Sequence, residues 1–107
     1  MYCKKGDLLV CNGGDVGRAA IWNNDEDICI QNHISRLRPK YDSIVNNLFC
    51  CYIFMYLKQK KKLNGKGVAI TSLSATDLLS VPILLPPINE QNRIVQTIQN
   101  IEIISVR

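Results

Sequence analysis

One histidine, five cysteines and nine carboxylates are the residues of this 107-residue chain that could carry chemistry. Their spacing argues against most of it. His33 would need a serine or cysteine beside it and an orienting acid to act as a catalytic base. A strand histidine making a structural hydrogen bond is the simpler reading. The cysteines stand at positions 3, 11, 29, 50 and 51, an odd number without a Cys-x-x-Cys pair. With a single histidine they do not make a zinc ligand set, so no metal is expected. None of the nine acids has a lysine two places on, so the Asp/Glu-x-Lys arrangement of metal-dependent nucleases is missing. Gly13-Gly-Asp-Val-Gly17 and Gly65-Lys66-Gly67 are glycine-rich, but neither ends in the Gly-Lys-Ser/Thr that holds phosphate in a P-loop. The first is better read as a hairpin turn, where glycine supplies positive φ.

Binding chemistry is better represented. Asn12, Arg18, Gln31, Asn32 and Arg36 are of the types that make two hydrogen bonds at once to a base edge, and several fall at predicted strand ends or turns. Each could equally be an ordinary surface polar residue. Lys58, Lys60, Lys61, Lys62 and Lys66 place five positive charges in nine residues without an acid, although the whole chain has a net charge of only +4. Such a patch can hold phosphates and position a nucleic-acid backbone, with an affinity that falls as salt rises. The bland alternative is a solvated helix end, where cations complement the helix dipole. Pro86-Pro87 invites comparison with the Asn/Asp-Pro-Pro-Tyr/Phe signature of DNA amino-methyltransferases. Here Leu85 precedes the prolines and Ile88 follows them, so both the polar group for the target amine and the stacking aromatic are absent.

The elements that must position these residues follow from pattern. Residues 7–12 are apolar and β-prone, residues 13–15 read as a turn, and residues 16–22 can return as a partner strand. Residues 23–27 form an acidic loop. Residues 28–38 alternate imperfectly as a further strand, ended by Pro39. A helix capped by Asp42 or Ser43 runs to about Lys61, apolar around much of its circumference and therefore buried in its middle. Residues 64–67 break it, and residues 68–71 make a short β-prone link. Residues 72–78 read as a helical turn. Residues 81–85 read as an edge strand that tolerates Pro82, and Pro86-Pro87 ends it. A last helix follows, with Asn89 as its cap, Glu90 in its first turn, and Ile94, Val95, Ile98 and Ile101 forming a stripe compatible with a coiled-coil seam. The fold class is α+β: a small mixed β-sheet packed on a buried helix, with a C-terminal coiled-coil-type helix leaving it.

Apolar content of 47% and charged content of 21% are those of an ordinary globular chain, and its length allows one modest core. The longest apolar run, residues 48–57, is too short to span a bilayer, so no membrane is expected. Cys50 and Cys51 inside that run look like small core residues. Unpaired cysteines suit a reducing, cytoplasmic setting.

At residues 72–98 the chain resembles a known family. Ser-Leu-x-x-x-Asp-Leu from Ser72, then Ile-x-Leu-Pro-Pro-x-x-Glu-Gln-x-Arg-Ile-Val from Ile83, is similar to the specificity subunits of type I restriction-modification systems. Lys5-Gly-Asp-Leu-Leu-Val, Gly13-Gly-Asp-Val-Gly-Arg-Ala-Ala-Ile and Gln31-Asn-His-Ile-Ser-Arg-Leu-Arg-Pro39 fit the same family in the right order. Each motif is loose, and the ordered set is more specific. The resemblance implies part of a target-recognition domain over residues 1–87 and the start of a spacer helix over residues 88–107. It implies sequence-specific recognition of double-stranded DNA by a non-catalytic subunit that binds no cofactor of its own. Modification (methyltransferase) and restriction subunits would be its partners and would supply the catalysis. Ile94, Val95, Ile98 and Ile101 would begin the docking face, with self-association through the same helix. The family carries two recognition domains and two full spacer helices, so this chain reads as a fragment, a truncated product or a half-unit. Two rivals remain open. One is a protein–protein interaction module using the C-terminal helix, and the other is the C-terminal specificity domain of a fused restriction-modification enzyme. Whether Lys58–Lys66 and the Asn12/Arg18 loop share a face discriminates the first from DNA reading, and a methyltransferase motif in the adjoining reading frames would settle the second.

Overall fold

Leu8 and Val10 are fully buried while Leu9 and Cys11, which alternate with them, are only partly covered, the period of two that puts alternate side chains on opposite faces of a sheet. The computed structural model describes residues 2–13, 16–29, 33–60 and 81–105. Within them five strands are followed by two helices: β1 (Tyr2–Cys3), β2 (Leu8–Cys11), β3 (Ala19–Ile21), β4 (Ile28–Cys29), β5 (Ile34–Leu37), α1 (Asn47–Gln59) and α2 (Ile88–Ser105). The expectations for residues 14–15, 30–32 and 61–80 lie outside the described residues.

The architecture is α+β. β2 is the centre of a three-stranded sheet in the order β3-β2-β5, and β1 pairs with β4 in a second, two-stranded one. All of these pairings are antiparallel, where a mixed sheet was expected. The register sets Leu8 between Ile21 and Leu37, and Val10 between Ala19 and Ser35, so these residues share the inner face. Leu8, Val10 and Val16 join Cys51 and Phe54 of α1 in the core, with Ile21, Leu37, Leu57, Val81 and Ile83 packed around them.

Four local expectations are corrected. Residues 28–38 are not one strand: β4 and β5 belong to different sheets, and His33 before β5 has φ of 71°. A left-handed residue cannot continue a pleated ladder. The cap of α1 is Asn46, not Asp42 or Ser43; it has extended backbone, and its side chain accepts from the N–H groups of Leu48 (3.0 Å) and Phe49 (3.4 Å). In the middle of α1 the buried Phe49, Cys51 and Phe54 spread over more than half of the helix circumference, while Met55 and Tyr56 are about half exposed. Residues 81–85 carry no strand. Val81 and Ile83 turn into the core and Leu84 into solvent, but Pro82 has no N–H to give a ladder. α2 starts at Ile88, two residues earlier than a cap at Asn89 would allow, because the Pro87 carbonyl takes the first helical N–H groups, from Glu90 (2.9 Å) and Gln91 (3.1 Å).

Candidate nucleic-acid interface

The β2–β3 hairpin end is built by main-chain closure around Gly17, whose φ of 91° suits a residue without Cβ. Its N–H donates to the Cys11 carbonyl (2.8 Å), and the Cys11 N–H donates to the Arg18 carbonyl (2.8 Å). This closure leaves Arg18 exposed at the start of β3. The last turn of α1 lies against the same hairpin, because Lys58 Nζ donates to the Val16 carbonyl at 3.3 Å. Arg18 and Lys58 therefore line one groove of about 450 Å3, together with Gly17, Ala19, Met55 and Gln59. Two cations over a partly apolar floor suit a phosphate-bearing ligand, and among the described residues that line the groove there is no carboxylate.

Asn12 stands at the same end of β2. Its N–H donates to the His33 carbonyl (2.8 Å) and its Nδ2 donates to Ser35 Oγ (2.9 Å), so it also clamps β2 to the start of β5. Against it, Gly13 packs so closely on the His33 imidazole that a Cβ there would lie 2.5 Å from Nδ1. Arg36 is placed elsewhere. It sits opposite Leu9, so alternation puts it on the sheet face away from α1, and it donates to the Tyr2 carbonyl at 3.0 Å. Lys60 is exposed beyond the end of α1, with its ammonium 6.0 Å from the centre of the Tyr56 ring. Gln31, Asn32, Lys61, Lys62 and Lys66 lie outside the described residues. On α2, Val95 is buried within the chain itself, Ile94 and Ile98 are half-buried, and Ile101 is 58% exposed.

Four polar residues hold the opposite end together, and of these Asp7, Arg38 and Gln91 fall inside the motifs that carry the family resemblance, which assigned them no role. Asp7 is buried and receives Nε and Nη2 of Arg38, each at 2.7 Å, together with the Lys4 N–H at 2.7 Å. The Arg38 hydrogen bond outweighs burial and holds the Asp7 carboxyl below its ordinary pKa. Asn47 Nδ2 donates to the carbonyls of Gly6 (2.9 Å) and Leu37 (3.1 Å), tying α1 to the sheet. Gln91 is fully buried and bonds to the segments before both helices. For Asn47 the available signal was the Asn46-Asn47 doublet before an apolar run, since asparagine caps helices well.

No disulfide is formed by the described cysteines, and burial pushes the Cys50 thiol up from its ordinary value. Among the described residues no cluster of three or more His, Cys, Asp or Glu could hold a metal ion, and no helix is long and apolar enough to cross a membrane.

Residues 1–105 match the family described as the type I restriction modification DNA specificity domain. The chain belongs to that family. Its relatives show how much of a type I specificity protein is present. The type I restriction enzyme EcoBI specificity subunit of Escherichia coli is 29% identical over 99 residues, which are 92% of this chain and 21% of the relative. A solved structure from work on complex assembly and conformational transition of the type I R-M system superposes with a TM-score of 0.77 at 30% identity, covering 94% of this chain and 24% of its own. The crystal structure of the HsdS subunit from Thermoanaerobacter tengcongensis gives 0.69 at 27%, covering 94% of this chain and 23% of its own. The chain thus spans about a quarter of the length of the curated relatives it matches.

Proposed function

We propose that residues 1–87 form part of a DNA target-recognition domain and that α2 begins the spacer helix of a type I specificity subunit. The observation that carries this reading is the shared groove of Arg18 and Lys58, which sets a loop and a helix end side by side as one cationic surface. Family membership supports DNA as the ligand. Lys58 and Arg18 contact the DNA backbone, and the hairpin with Asn12 approaches the base edges. The subunit is non-catalytic and cytoplasmic. Methylation and cleavage belong to modification and restriction subunits, which dock on α2 through the face that ends in Ile101.

The test is a fluorescence titration of the chain against duplex DNA at several salt concentrations. Affinity is expected to fall with salt at a log–log slope of several units, about 0.9 per phosphate contacted. Changing Arg18 and Lys58 to Glu is expected to reduce that slope by about two units. An unaltered chain that fails to bind at low salt would sink the DNA reading. The exposed Ile101 would then favour the interaction-module reading.

A further inference from the structure

Among the described side chains of α2, Gln91 is the one polar side chain that is fully buried, and its bonds within the described residues are all to main chain. Its Oε1 accepts the Asn46 N–H at 2.8 Å, and its Nε2 donates to the carbonyls of Ile44 (2.8 Å) and Pro86 (2.7 Å). Both amide protons are thereby used. One residue on, Asn92 Oδ1 accepts from Asn46 Nδ2 at 2.8 Å. Asn47 meanwhile bonds to the sheet at Gly6 and Leu37. Two adjacent residues, Asn46 and Asn47, therefore hold α2 on one side and the sheet on the other.

The apolar side of α2 is poorly suited to fix its direction. Among its described side chains Val95 is the one buried hydrophobic, flanked by the half-buried Ile94 and Ile98. Apolar contact is non-directional and lets a helix roll or slide at little cost. Hydrogen bonds to three fixed main-chain groups are directional. They also lie at the first turn of α2, where a small rotation is magnified along a helix of 18 residues, about 27 Å long. No ionisable side chain takes part in these bonds, so salt does not screen them.

We propose that this amide junction, centred on Gln91, fixes the direction in which α2 leaves the domain, and that Gln91 is a positioning residue for assembly with the modification subunit. The proposal rests on the reading of α2 as a spacer helix. It concerns the geometry of the helix and not the contact with DNA.

The test measures the distance between spin labels carried by unnatural amino acids at Ala20 on β3 and Gln96 on α2 in the intact chain, both sites being exposed. The unaltered chain should give one narrow distribution. Gln91→Glu keeps the acceptor for Asn46 and removes both donors, and is expected to shift and broaden the distribution while lowering Tm by on the order of 10 °C. Val95→Ala should lower Tm without broadening it. Asn92→Ala, at an exposed position, retains the fold and should broaden it less than Gln91→Glu. A distribution as narrow in Gln91→Glu as in the unaltered chain overturns the proposal, as does equal broadening in Val95→Ala. Should Gln91→Glu not fold, an unchanged distribution in Asn92→Ala overturns it. A chain with no affinity for DNA would remove the recognition reading and leave these distances as they are.

Discussion

At the scale of single residues, Asp7 shows what the family-like Lys5-Gly-Asp motif does in this molecule. Gly6, with φ of 92°, turns the chain so that the Asp7 carboxylate takes the Lys4 N–H, while its own carbonyl takes Asn47 Nδ2. Asp7 then meets Arg38, 31 residues on, through two bonds of 2.7 Å. The motif is thus a junction between strand, loop and helix. The Asp7 pKa is lowered below 3.8, first by its hydrogen bond with Arg38. A depressed folded-state value means stability that is complete well above pH 3.8 and lost as pH falls through the folded value. Asp7→Asn is expected to cost about 1–3 kcal/mol at pH 7, because a buried acceptor site then faces unmatched donors. The difference from the unaltered chain should shrink below about pH 4. Urea unfolding at pH 7 and pH 3 checks this; an equal deficit at both would show that packing, and not charge, holds Asp7.

At the scale of elements, α1 depends on its cap residue more than its composition suggests. Asn46 caps two N–H groups and also reaches Asn92, so Asn46→Ala removes a cap and a helix–helix bond together. A cost of about 0.5–2 kcal/mol is expected from the cap. Each kcal/mol corresponds to a fall in Tm of about 4–8 °C in a domain of this size, measurable by circular dichroism. The same element shows what was legible in the sequence. The β2–β3 hairpin and the apolar middle of α1 could be read, because alternation and glycine act within a few residues. The start of α1 could not, because Asp42, Ser43 and Asn46 are all good caps and only the docked Gln91 decides between them. Residues 81–85 look like a strand for a similar reason: Val81 and Ile83 alternate with exposed neighbours against the core, with no partner strand among the described residues. Nor could spacing reveal the groove, whose two cations come from a loop and a helix linked by a bond between residues 42 positions apart. The residue types Arg18 and Lys58 were visible, but their adjacency is a property of the fold.

At the scale of the whole molecule, α1 works as a strut between two chemically different ends. Its 13 residues span about 20 Å. Its C-terminal end faces the Arg18 groove, and its N-terminal end meets the amide junction with α2. The first end is exposed and cationic, suited to a ligand that comes and goes. The second is neutral and centred on the buried Gln91, suited to a permanent joint. Damage at the two ends should therefore separate cleanly, since sites this far apart without shared partners behave additively. Arg18→Glu is expected to weaken DNA binding while changing stability by less than about 0.5 kcal/mol, as is usual for an exposed position. Asn46→Ala should do the reverse, lowering Tm while leaving the affinity of the folded chain for DNA within about twofold. The double variant should show both losses and no more. A larger loss of affinity in the double variant than in Arg18→Glu alone would mean that the two ends communicate through α1. The strut would then be a lever, carrying the state of the DNA-facing groove to the helix on which partner subunits are proposed to dock.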